Sequence, residues 1–151
     1  MEKNVVKNIL ADTDLRQNLI KLKGSMTSTD TLEGPIVEKL CDCLTHEDPK
    51  VRKNAALLLG YTKNPLMASV LLNAYKNEEK DFVKDAYLKG MSHYDCKPYI
   101  KELQEIQNEL MNSEVVDSKH IKAQLNVLNP MIRSYSYHKK KSIRLLHKEV
   151  D

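Results

Sequence analysis

The chain has no tryptophan, one phenylalanine, four glycines and five prolines among its 151 residues. A core without large rings must be filled by Leu, Ile, Val, Ala and Met, with tyrosine added, and that suits closely packed helices. So few glycines and prolines exclude a collagen-like or low-complexity chain. No apolar run approaches the roughly 18 residues that a membrane span needs. The opening "MEKNVVKNIL" is charged early and lacks a continuous apolar signal region, so a cytoplasmic location is expected. Three cysteines, an odd number, do not make a disulfide framework. Cys41 and Cys43 stand two residues apart near His46, which on a helix puts the thiols on nearly opposite faces. Cys96, with His93 and Asp95, shows no metal-ligand spacing of a known kind. Reduced, partly buried thiols are therefore expected.

Catalytic patterns are missing too. There is no glycine-rich phosphate loop, no nucleophile elbow, no Cys-x-x-Cys pair and no His-Glu-x-x-His. The carboxylate pairs Glu47-Asp48 and Glu78-Glu79 fall at expected helix ends or turns, where they complement a helix N-terminus or face water. The reading therefore assigns this chain no catalytic residue, metal or cofactor, and finds no evident small-molecule substrate.

What is present is most legible in "DPKVRKNAALLLG", Asp48 to Gly60. Asp48 suits an N-cap, its carboxylate accepting from first-turn N–H groups that lack a partner. Pro49 suits the first helical position. Gly60 suits the residue after the end, where a positive φ is expected. Val51, Ala55, Leu58 and Leu59 share one face. Such a short helix is marginal alone and must pack against something.

Its partners are copies of itself. Val51-Arg52 aligns with Leu15-Arg16, Val83-Lys84 and Ile121-Lys122, at offsets of 36, 32 and 38 residues. Three residues after each base stands Leu19, Ala55, Tyr87 or Leu125, and six after it Leu22, Leu58, Gly90 or Leu128. Stops are expected at Gly24, Gly60, the Gly90-to-Ser92 region and Pro130. Between the copies lie the amphipathic segments "PIVEKLCDCL", "PLMASVLLNAYK" and "PYIKELQEIQNEL", begun by Pro35, Pro65 and Pro98. The pattern is helix-turn-helix, repeated about four times.

These residues resemble the HEAT and HEAT-like repeat family, over roughly residues 2 to 130. The periods fall short of about 40–47 residues, as in a compact form of the repeat. The tetratricopeptide and ankyrin signatures are absent. The helical-repeat DNA glycosylases share only the architecture, since they hold DNA with aromatic residues, tryptophan prominently. The resemblance implies an all-α, right-handed α-solenoid of about four helix pairs, with units near 2–24, 35–60, 65–92 and 98–129. A repeat domain would span 1–130, and a basic C-terminal tail or linker 131–151.

Two roles fit the recurring bases Arg16, Arg52, Lys84 and Lys122. They could form a basic stripe along a nucleic acid or a structural ladder pairing with neighbouring units; the family's Val-Arg base usually serves the ladder. The next position reads Gln17, Lys53, Asp85 and Ala123, so the expected inner groove is not uniformly basic.

The C-terminal stretch differs. From Pro130 onward six bases face two acids, a surplus of +4, which leaves −1 for the other 129 residues. Arg133, Tyr135, Tyr137, Lys139, Lys140, Lys141 and Arg144 form a candidate nucleic-acid patch, the bases for phosphates and the tyrosines for stacking. The alternative is a solvated linker or one more amphipathic segment. The stretch reads as unfinished. With the repeats, it resembles the amino-terminal region of larger bacterial proteins in which a THUMP RNA-binding domain and a class I methyltransferase using S-adenosylmethionine follow. That layout implies an accessory module of an RNA-modifying protein. The alternative is a free-standing scaffold binding a protein. The expected partner is protein or RNA, with no membrane.

Overall fold

The computed structural model describes residues 3–114 and 118–150, with side chains as far as Tyr135. Among them there is no strand. The helices are α1 (Lys3–Leu10), α2 (Leu15–Ser25), α3 (Pro35–Cys43), α4 (Pro49–Leu58), α5 (Leu66–Asn77), α6 (Asp81–Met91), α7 (Ile100–Met111) and α8 (Ser118–Val150). They follow one another as helix pairs, and the architecture is an all-α solenoid. The chain divides into two compact units, Met1–Asp95 and Cys96–Asp151.

In the first unit three pairs stack, α1 with α2, α3 with α4 and α5 with α6. The second helices form a continuous row, α2 against α4 and α4 against α6. The first helices do not: α1 packs on α3, whereas α3 and α5 have little contact. The core between the layers holds Leu19, Leu40, Leu58, Leu71 and Leu88, all without exposed surface. Leu22 and Leu58, six residues after their bases, are both buried as the register requires. Ala56 is small and fully buried, and α6 comes close enough that a Cβ on Gly90 would lie 2.6 Å from the Ala56 carbonyl oxygen. Gly90 is thus an approach residue inside α6, which continues to Met91.

Local chemistry sets the ends. Asp48 caps α4, its Oδ1 accepting from the Lys50 N–H at 2.9 Å. Pro35 opens α3 and Pro49 opens α4. Buried Asn18 and Asn54, each two residues after the repeat base, turn their amides back: Asn18 Nδ2 donates to the Thr13 and Asp14 carbonyls, and Asn54 Nδ2 to that of Lys50.

Three expectations are corrected. Gly60 has no positive φ; it sits in a 3-10 turn over Leu59–Tyr61, and a Cβ there would fall 2.6 Å from the His93 ring. Crowding, not backbone handedness, calls for glycine. Gly24 does not stop its helix, because α2 runs on to Ser25; an exposed helical glycine loses about 1 kcal/mol relative to alanine, too little to break a packed helix. Pro130 does not end the last segment either, since α8 passes through it to Val150. Proline removes one helical hydrogen bond, and a long helix on either side can carry that loss.

In the second unit α7 packs on α8. Ile100, Leu103, Ile106 and Leu110 form the buried face of α7, and Leu128 and Ile132 are buried on α8. Gln107 Nε2 donates to Asn129 Oδ1 at 2.8 Å. Position 130, the expected edge of the repeat domain, lies within α8.

Candidate interaction surface

Two of the repeat bases, Arg16 and Arg52, sit at joints between units. Arg52 of α4 points toward the turn that begins α6. Its Nε and Nη2 donate to the two carboxylate oxygens of Glu78 at 2.8 and 2.9 Å. Its Nη1 donates to the carbonyls of His46 and Glu47 at 2.8 and 3.2 Å, in the turn between α3 and α4. Glu78 also accepts from the Tyr87 hydroxyl at 3.0 Å and from the N–H groups of Glu79 and Lys80 at 3.1 Å each. Burial pushes the Glu78 carboxyl up, but hydrogen bonds from Arg52, Lys80 and Tyr87 outweigh it and hold the group below its ordinary value. Burial first, then Glu78, pushes the Tyr87 phenol up.

The other bases are placed differently. Arg16 Nη1 lies 3.8 Å from Asp48 Oδ2, with 47% and 31% of those side chains exposed; such a pair contributes about 0–1 kcal/mol. Lys84 Nζ stands 5.6 Å from the centre of the Tyr75 ring of its own repeat. Lys122, in the second unit, is exposed.

Because α3 and α5 hardly touch, a cleft of about 500 Å³ opens between the C-terminal end of α3 and α5. Arg52, Glu78 and Tyr87 line it, with His46, Asn73 and Lys80 around them. Arg52 already uses four of its N–H donations on protein acceptors, so it offers little to an anion. Cys41, also lining the cleft, has its thiol pushed up by burial, and buried Cys43 is pushed up to about 11 by the same cause. Both thiols stay protonated near neutral pH, which makes them poor nucleophiles. Among the described residues no three His, Cys, Asp or Glu side chains are gathered to hold a metal.

The row of second helices is the more distinctive surface. α2 carries Arg16, Lys21 and Lys23, α4 carries Lys50, Arg52 and Lys53, and neither helix has an acid. Lys23, Lys53 and Lys89 come from three successive helices of that row. Burial, then the charges of Lys53 and Lys89, push the Lys23 ammonium below its ordinary value. The inner-groove pattern drawn from the sequence missed this convergence. The three lysines follow their repeat bases by seven, one and five residues, so no single aligned position contains them. Glu78, Tyr87, Asn18 and Asn54 were missed as well. Only the asparagines left a signal, the shared Arg-x-Asn of "LRQN" and "VRKN".

Of the C-terminal candidates, Arg133 is exposed and Tyr135 half-buried on α8. The side chains of Tyr137, Lys139, Lys140, Lys141 and Arg144 lie outside those described.

Residues 4–92, covering α1 to α6, match the family model described as HEAT repeats. The chain belongs to the HEAT-repeat family. No curated protein and no solved structure matches it. As a HEAT-repeat chain it is a helical-repeat interaction module of a kind that is generally non-catalytic and typically mediates protein interactions. Among the described residues no helix is long and apolar enough to cross a membrane. The match gives no support to a THUMP-methyltransferase layout.

Proposed function

We propose that the chain is a non-catalytic scaffold that binds a protein partner on the row formed by α2, α4 and α6. The observation that carries this reading is the concentration of positive charge at one end of that row: Lys21, Lys23, Lys50 and Lys53, none of them in an ion pair among the described residues, with no acid on α2 or α4. The joints support it. Arg52 and Glu78 fasten neighbouring repeats, so the row presents its side chains from a fixed frame and loses little freedom on binding. The reading gives the chain no cofactor and no reaction; of the expected ladder, Arg16 and Arg52 reach a neighbouring repeat, whereas Lys84 stands over Tyr75 of its own repeat and Lys122 is exposed in the second unit. The test is a photo-crosslinking amino acid placed in cells at exposed Gln17 on α2 and, as a comparison, at exposed Leu66 on α5. A discrete protein captured from Gln17 and not from Leu66 supports the reading. Capture from Leu66 alone, or no capture, refutes it.

A second reading is favoured by the +4 surplus from Pro130 onward. In it the chain is an accessory module of a larger RNA-modifying protein, of the THUMP and class I methyltransferase layout, and the bases of α8 meet RNA. An RNA-methylase sequence in the reading frame beyond Asp151 would support it, and a stop codon there would count against it.

A further inference from the structure

Helices α2, α4 and α6 are neighbours in one row, and their axes are separated by about 8–10 Å as packed helices are. Lys23, Lys53 and Lys89 each come from one of them. Each has at least part of its side chain in solvent. None of the three takes part in an ion pair among the described residues. The row supplies almost no compensating charge: its acids are Asp81 and Asp85 of α6, and Asp85 is already engaged. Like charges brought together this way oppose folding; the Lys23 ammonium is held below its ordinary value first by burial and then by the charges of Lys53 and Lys89. An anionic partner would relieve it.

The chemistry of that partner can be narrowed. α2 and α4 carry no aromatic residue, and of the two on α6 Tyr87 is buried and bonded to Glu78, which leaves half-buried Phe82 as the one ring on the row with any surface to offer a nucleic-acid base. Three phosphate contacts give only a shallow salt dependence and weak binding to nucleic acid. An extended peptide advances about 3.1 Å per residue, so acids at every third position recur every 9 Å or so, which matches the helix spacing. We propose that an acidic, extended segment of a protein partner crosses α2, α4 and α6 and sets its carboxylates on Lys23, Lys53 and Lys89. This rests on the protein-binding reading above.

The test uses the full chain, fluorescence anisotropy at low salt, and three labelled probes. One is a peptide with glutamate at every third position and serine between; the second is its isomer with the glutamates consecutive; the third is an oligouridylate. The spaced peptide should bind more tightly than its isomer. Combined Lys23→Glu, Lys53→Glu and Lys89→Glu should weaken that binding about tenfold or more, the sum expected for three partly exposed charge pairs. Combined Lys3→Glu, Lys63→Glu and Lys80→Glu, with the same change in net charge, should leave it nearly intact. A triple glutamine variant at the first three positions, which adds no new charge, should also lose affinity with its helical circular dichroism unchanged. Equal losses in the two charge-reversed chains overturn the inference. So does indifference to glutamate spacing, tighter binding of the oligouridylate at these lysines, or no binding of the spaced peptide. If the charge-reversed chain still crosslinks the same protein from Gln17, this inference falls and the protein-binding reading stands. If the wild-type chain captures no protein there, that reading falls, whatever the peptides do.

Discussion

Replacing Glu78 by alanine should be among the most damaging single changes in the first unit. Its side chain is 4% exposed and opposite Arg52, itself 16% exposed. Truncation removes the acceptor of five donors: two from Arg52, one from Tyr87 and the N–H groups of Glu79 and Lys80. A guanidinium then remains partly buried without its counter-charge, and the Tyr87 hydroxyl loses its carboxylate partner. Breaking a buried pair from one side costs about 3–5 kcal/mol. Against a total of about 5–15 kcal/mol, the variant should fold yet unfold early. With a urea slope of about 1–3 kcal/mol per molar, the midpoint should fall by on the order of 2 M. Glu78→Gln keeps the shape and one acceptor and should cost about 1.5–3 kcal/mol, the range for hydrogen bonds to a charged group. Replacing Arg52 and Glu78 together by methionine should cost less than the sum of the two single changes, because no charge is left stranded. The pH dependence has a definite sign. The folded-state value of Glu78 lies below its unfolded value, so its contribution is present above the unfolded value and is lost as pH falls through the folded one. If Glu78→Ala loses no more than exposed Glu79→Ala, or if the double variant loses the full sum, the joint does not hold the repeats as argued.

Leu58→Ala removes a fully buried side chain and should cost about 2–5 kcal/mol. Lys53→Ala, part of whose side chain is exposed, should change stability by no more than about 0.5 kcal/mol. Equal effects in a denaturant titration would show that the phase of α4 is wrong. Gly90→Ala places a methyl group 2.6 Å from a backbone oxygen and 2.9 Å from Leu71 Cδ1; since the backbone cannot swing aside, a loss of about 1–3 kcal/mol is expected, where an open helical site would gain. For the second reading, Lys139, Lys140 and Lys141 changed together to alanine should remove most RNA binding by the isolated chain. Titrations at two salt concentrations should show weak binding, near the roughly 10⁻⁴–10⁻⁶ M of nonspecific contacts. A chain ending at Asn129 that binds RNA as well as the intact one would rule the C-terminal bases out.

Helix order was legible because its signals are local. An Asp-Pro start, a face repeated every three or four residues and the recurring aliphatic-base pair each act within one or two turns. The second helices α2, α4 and α6 were readable on that basis. Glu78 was not, because its partner Arg52 lies 26 residues away, and a Glu-Glu pair at a turn looks the same whether solvated or buried. Gly60 and Gly90 were noticed as stops, yet the reason for glycine is the atom opposite, His93 or Ala56, and no local pattern reports that. Pro130 misled because its local rule is sound but the helix on either side is long enough to carry one lost hydrogen bond. Lys23 and Lys89 escaped because they stand at different positions relative to their repeat bases.

The joint between the second and third pairs has a mechanical consequence. One layer is closed by α4 against α6, while the other is nearly open between α3 and α5, where the Cys41 thiol meets the Met67 sulfur at 3.9 Å; the fork of Arg52 on Glu78 ties α4 to the turn before α6. A stack of this kind behaves as a chain of springs joined in series, each link deforming in proportion to its softness. Flexure imposed on the first unit is therefore taken up where one layer is nearly open. The fork of one guanidinium on one carboxylate adds to the packing of α4 on α6 in that link, so a single neutralising substitution would change how the module yields under load while leaving its helices as they are.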